Sequence, residues 1–145
     1  MTHSLAAAGR PQPVGAAAPA ATTYQPGICN IGPAEIAARR RSGHVGVVAT
    51  IVLFAILVAI GAPPIARLLL ALPAAVAASG YLQARAKFCA GFGSRGVFNF
   101  GSLGTTQHVD DAAARSLDRR RAIRISLASF AIGLAVAVVA VLLPV

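Results

Sequence analysis

The sequence predicts an all-α membrane protein with three transmembrane helices, and three observations carry that expectation. Apolar stretches run from His44 to Ala62, from Ile65 to Leu82 and from Ile123 to Val145. Each approaches the ~20 residues that cross a hydrocarbon core of roughly 30 Å. The first and third contain no Asp, Glu, Lys or Arg apart from Arg124 at a border, so a soluble bundle, whose helices need a polar face, fits them poorly. The third observation is that arginines border each stretch on one side.

Composition agrees with this class. Of 145 residues, 57% are hydrophobic and 12% charged, and the mean hydropathy is +0.72, far from the balance of a soluble domain. With about 60 residues in lipid, no sizeable soluble core remains to be built. The net charge of +9 has to be read by position. Arg10, Arg39, Arg40, Arg41, Arg85, Lys87, Arg95, Arg115, Arg119, Arg120 and Arg121 fall in the N-terminal region or the second loop, whereas only Arg67 falls on the other side. The positive-inside rule then puts the N-terminus and the second loop in the cytoplasm, and the Gly61–Pro64 hairpin and the C-terminus outside. Glu35, Asp110, Asp111 and Asp118 all lie inside as well. Cys29 and Cys89 share that reducing side, so a structural disulfide is not expected. The N-terminus lacks a basic region followed by an apolar core, so the first span is expected to act as an uncleaved signal anchor.

The elements follow in order. Residues 1–27, rich in Ala, Pro and Gly and nearly uncharged, read as a disordered tail with little to offset the entropy of ordering. Residues 28–43 read as a cytoplasmic interfacial helix, with Pro33 at a first helical position, Glu35 four before Arg39, and Arg39–Arg41 at its close. The membrane domain, 44–145, starts with the first span. Gly61, Ala62, Pro63 and Pro64 stop one helix and start the next as a tight hairpin. Arg67 is expected to snorkel to the outer headgroups, and Pro73 to kink the second span. Ala71, Ala75 and Ser79 form a small-residue stripe, and Ser129, Gly133 and Ala137 form a second one in the third span.

The loop 83–122 is the most informative region. Five of the eight aromatics, Tyr81, Phe88, Phe92, Phe98 and Phe100, crowd near its start, as interfacial anchors do. Glycines at 91, 93, 96, 101 and 104 are expected to interrupt any helix. Val97 to Phe100 suggests a short extended piece with both Phe rings on one side. Asp110 and Asp111 mark the acidic start of one long helix that runs on into the third span.

The motifs do not converge on catalysis. GFGSRG, residues 91–96, satisfies GxGxxG, but a dinucleotide site needs a preceding strand and a βαβ unit, and here a membrane helix precedes it. Cys29 and Cys89, with His44 and His108, lack the spacing of a zinc site. The alternative they support is thiol-redox or metal chemistry, helped by Arg85 one turn before Cys89. The Arg39–Arg41 and Arg119–Arg121 triplets fix topology and attract anionic lipid headgroups, each cation contributing about 1 kcal/mol near the surface. They do not build the separable reading face that nucleic acid requires. No Ser, His and Asp set stands at informative spacing, no resident cofactor is implied, and the spans offer few polar groups to line a pore.

CNIGPAEIAARRR before the first span, YLQARAKFCAGFGSRGVFNFG after the second and DRRRA before the third resemble small bacterial integral membrane proteins with three spans. The resemblance covers residues 28 to about 124 and implies a place in the bacterial cytoplasmic membrane, with no activity attached. The resulting expectation is a non-enzymatic subunit or scaffold that docks a protein partner or its own copies through Tyr81–Gly104. The candidate docking residues are Phe88, Phe92, Arg95, Phe98, Asn99 and Phe100. A lipid- or small-molecule-handling oligomer is a further alternative.

Overall fold

The computed structural model describes residues 23–144. Helix α1 is Pro33–Ala59, a 3-10 helix at Pro64–Leu70 leads into α2, Ala71–Ala86, and a short α3, Ala90–Arg95, follows. Strands β1, Val97–Phe98, and β2, Gln107–His108, pair antiparallel with Val97 opposite His108, and α4, Ala112–Leu142, closes the chain. Pro33–Ala59, Pro64–Ala86 and Ala112–Leu142 are long and apolar enough to cross a membrane. Their outer faces are apolar: Val45, Val48, Ile51 and Val52 of α1 and Leu127, Phe130 and Val139 of α4 are all exposed. That is the inverse of a soluble bundle's polar surface.

Helix α2 packs between α1 and α4, and small residues set both contacts. A side chain on Gly46 would come within 2.5 Å of the Ala77 amide, and one on Gly80 would collide with Gly43 and with the Arg39 carbonyl. On the other side of α2, one on Gly133 would come within 2.5 Å of the Ala71 carbonyl and 2.7 Å of the Ala75 methyl. The two stripes read from the sequence therefore meet each other through Ala71, Ala75 and Gly133. The Gly43/Gly46 pair against Ala77/Gly80 is the contact that reading missed.

Helix α1 is continuous across the border expected between an interfacial helix at 28–43 and a span at 44–62. One helix runs through from Pro33, because Gly43 lies against the Tyr81 ring and closes the α1–α2 contact instead of breaking the helix. At its other end Gly61 takes φ +66, with the Gly61 amide donating to the Val58 carbonyl and the Ala62 amide to that of Leu57. This is a Schellman ending, followed as usual by proline. The kink expected at Pro73 is a change of helix type: 3-10 geometry gives way to α at Ala71, so the proline falls in a first turn, where a missing amide costs little.

Arg67 corrects the snorkelling expectation. It is 3% exposed, and its Nη1 donates to the carbonyls of Ala140 (3.0 Å) and Leu143 (2.8 Å). Its guanidinium lies over the Phe54 ring at 5.9 Å. A cation placed on the last carbonyls of a helix meets both their orphan acceptors and the negative end of the dipole.

The glycines of 91–96 also depart from expectation, because α3 forms across them and Gly96, at φ +66, ends it. Helix α4 begins as anticipated. The Asp111 carboxyl caps it by accepting from the amides of Ala113 (3.2 Å) and Ala114 (2.9 Å). The disordered tail proposed for 1–27 lies, up to residue 22, outside the described residues. Within residues 23–27, Tyr24 and Gly27 are half-buried and bond to Asp118, while Thr23, Gln25 and Pro26 are exposed; the segment opens a strap at the basic end.

Candidate functional site

The basic end is closed by a cap built from the strap 23–32, the segment 87–111 and the first turns of α4. Three buried polar side chains organise it, and each was either unremarked in the sequence or assigned another role. The Asn30 side chain binds Cys89 twice, its Nδ2 donating to the Cys89 carbonyl (3.1 Å) and its Oδ1 accepting from the Cys89 amide (2.6 Å). Asp118, 0% exposed, accepts from the Tyr24 hydroxyl (2.9 Å) and the Gly27 amide (2.6 Å). Burial, then the hydrogen bond to Asp118, then the charges of Asp118 and Asp111 push the Tyr24 phenol pKa well above its ordinary value.

Asn99 is the third. Its Nδ2 donates to Glu35 Oε1 (3.1 Å) and to the Ser102 carbonyl (2.8 Å), while its Oδ1 accepts from the Gly101 amide and the Thr105 hydroxyl (2.9 Å each). It thereby joins α1 to the turn at 101–105. The parallel bridge of Ile31 with Asn99 continues the join, with Gly32 donating to the Asn99 carbonyl at 2.7 Å.

These bonds divide the candidate docking residues. Phe88 is fully buried against Ala90, Ala122 and Ile125, and Asn99 is 2% exposed, so both hold the cap together and neither presents a surface. Phe92 is half-buried with the Arg39 guanidinium 6.0 Å from its ring centre. Phe98 stacks on Tyr24 at 4.7 Å and meets Phe100 at 6.2 Å, both half-buried, so the two rings do share a side. Arg95 is exposed. The longest exposed run of the cap is the turn 101–108, with Leu103 at its tip 56% exposed.

GxGxxG has a packing explanation here. A side chain on Gly93 would come within 2.6 Å of the Phe88 ring, and one on Gly96 within 2.7 Å of Arg115. The Gly93 amide donates to the Cys89 carbonyl and the Ala90 amide to Gln83 Oε1, so these amides are engaged within the cap. Cys29 and Cys89 are both buried free thiols, and Cys29 Sγ donates to the Thr23 carbonyl at 3.4 Å. Among the described residues no group of three His, Cys, Asp or Glu could hold a metal.

The arginine triplets separate by role. Arg39 pairs with Glu35 at 3.6 Å. Arg40 and Arg41 line a cleft of about 420 Å³ beside α1 with His44 and Lys87, and Tyr81 donates to or accepts from His44 Nδ1 at 2.7 Å nearby. Arg119 and Arg120 are exposed, whereas Arg121 is half-buried and lines a separate cleft of about 390 Å³ between α2 and α4.

The fold thus defines a three-helix, membrane-type bundle closed at one end by a hydrogen-bonded cap that carries the basic charge. No family model, curated protein or solved structure matches the chain.

Proposed function

We propose that this is a non-enzymatic subunit or scaffold of the bacterial cytoplasmic membrane, with the N-terminus and cap inside and the C-terminus outside, docking a protein partner or its own copies through the cap. The observation that carries this reading is the turn 101–108. It is exposed throughout, yet it is tied from within by Asn99, which donates to the Ser102 carbonyl and accepts from the Gly101 amide, and by Thr105, whose hydroxyl lies 2.9 Å from Asn99 Oδ1 and 2.8 Å from the Ser102 carbonyl. A preorganised exposed turn loses little entropy on binding. The buried side chains of Asn30, Asn99 and Asp118, by contrast, are engaged in internal bonds. The thiol-redox alternative is less well supported, because buried thiols are inert compared with exposed thiolates.

The charge asymmetry supports the orientation, and attraction of the arginines to anionic headgroups supports the cap's place at the leaflet surface. Leu103→Asp tests the docking reading, because it alters an exposed tip without touching the Asn99 bonds. The variant is expected to insert and melt like the parent while losing co-purifying protein or self-association after crosslinking. Unchanged association would overturn the assignment.

A further inference from the structure

We propose that the cleft between the last turn of α2 and the start of the apolar part of α4 binds an anionic phospholipid, with its phosphate on Arg85, Arg121 and Arg124. All three side chains line the cleft. Guanidinium forks match phosphate oxygens in a bidentate manner, which makes arginine the side chain suited to this ligand.

The charge there is uncompensated. Glu35 is paired with Arg39, Asp111 caps α4, Asp118 is bound to Tyr24 and Gly27, and among the described residues no carboxyl group lines the cleft. Arg121 is half-buried where Arg124 is exposed, and a partly desolvated cation attracts an anion more strongly than one in open water.

The cleft's floor separates a lipid from a free anion. Ile125 and Ala128 of α4 and Leu82 and Ala86 of α2 complete the lining, and no charged residue follows Arg124 in the chain. The site therefore passes within one helical turn from cations to apolar surface, as an interfacial lipid does from phosphate to acyl chain. Inorganic phosphate would leave that floor in water, whereas an acyl chain covers it. Basic pockets between membrane helices are a recurrent setting for such headgroups.

Native mass spectrometry of the purified full chain, with phosphatidylglycerol and phosphatidylcholine added separately, tests the proposal. The wild type is expected to retain phosphatidylglycerol in preference to phosphatidylcholine. Arg121→Gln with Arg124→Gln is expected to weaken phosphatidylglycerol binding roughly tenfold or more, since two cations are lost at the headgroup. Ala128→Phe keeps every charge and fills the floor at an exposed position, so it is expected to show a comparable loss and serves if the arginine variant does not fold. Arg119→Gln with Arg120→Gln, outside the cleft, is expected to change binding less than about threefold. Equal retention of the two lipids, wild-type binding by the cleft variants, or an equal loss in the Arg119/Arg120 control would each overturn the site. Inorganic phosphate alone is expected not to bind; if it binds and is lost in the arginine variant while the lipid is unaffected, the lipid assignment fails.

Discussion

Asp118 shows how one side chain ties chain segments together: it receives bonds from residues 91 and 94 positions earlier, pinning the strap to α4. Asp118→Asn is expected to destabilise the protein by about 1–3 kcal/mol, read by thermal unfolding in detergent. Tyr24 gives the same contact a pH signature. Its phenol holds its proton more tightly in the folded chain than in the unfolded one, so its contribution to stability is complete below the ordinary phenol pKa of about 10 and is lost as pH rises beyond it. Tyr24→Phe is expected to remove that alkaline component. In ultraviolet titration, Asp118→Asn is expected to lower the Tyr24 pKa while leaving the part due to burial. At the far end, Arg67→Met is expected to cost about 1.5–3 kcal/mol by stripping charged donors from the carbonyls of Ala140 and Leu143. None of these partnerships is visible in sequence spacing. Asp118 sits inside the run DRRR and reads as surface charge, although it falls on the stripe Ala114, Asp118, Ala122, Ile125, Ser129, Gly133 and Ala137 that α4 buries. That three- and four-residue rhythm is the signal that would have singled it out.

The elements divide between those dictated by local chemistry and those decided by contact. The Asp111 cap, the turn at Gly61 and the helix-starting prolines are legible because each acts within a few residues. The small-residue stripes are legible as stripes, but their partners are not, since spacing says that a helix can approach and does not say which one. The helix across 90–95 and the unbroken α1 are decided by contact in the same way. Gly43 and Gly93 look like breakers until Tyr81 and Phe88 are seen lying against them. A matched pair of substitutions tests this account of the glycines. Gly80→Val forces a side chain into the α1 backbone and is expected to cost about 1–3 kcal/mol as an overpacking change. Gly91→Ala meets nothing closer than Cys89 Sγ at 3.8 Å, so it is expected to be neutral or to stabilise by roughly 0.5–1 kcal/mol through helix propensity. A phosphate-binding GxGxxG would predict the opposite sensitivity at Gly91, as a loss of ligand binding with no change in melting.

For the whole molecule, apolarity and charge asymmetry are properties of the linear chain, so three membrane-length helices and a basic end are readable without coordinates. The cap is not, because it is assembled by bonds between residues about as far apart as Asn30 and Cys89, and no local pattern records them. Folding the loop changes which residues face outward: Phe88 and Asn99 turn in, and Leu103 and the Arg85–Arg121–Arg124 cleft remain accessible. Burial of both native cysteines also makes single introduced thiols readable against a low background. The central claim is that the cap faces the cytoplasm and the Gly61–Pro64 hairpin faces out. Labelling Leu103→Cys and Pro63→Cys with a membrane-impermeant maleimide tests it directly. The account predicts that Pro63→Cys reacts in intact cells and Leu103→Cys only after permeabilisation; the reverse order would contradict it.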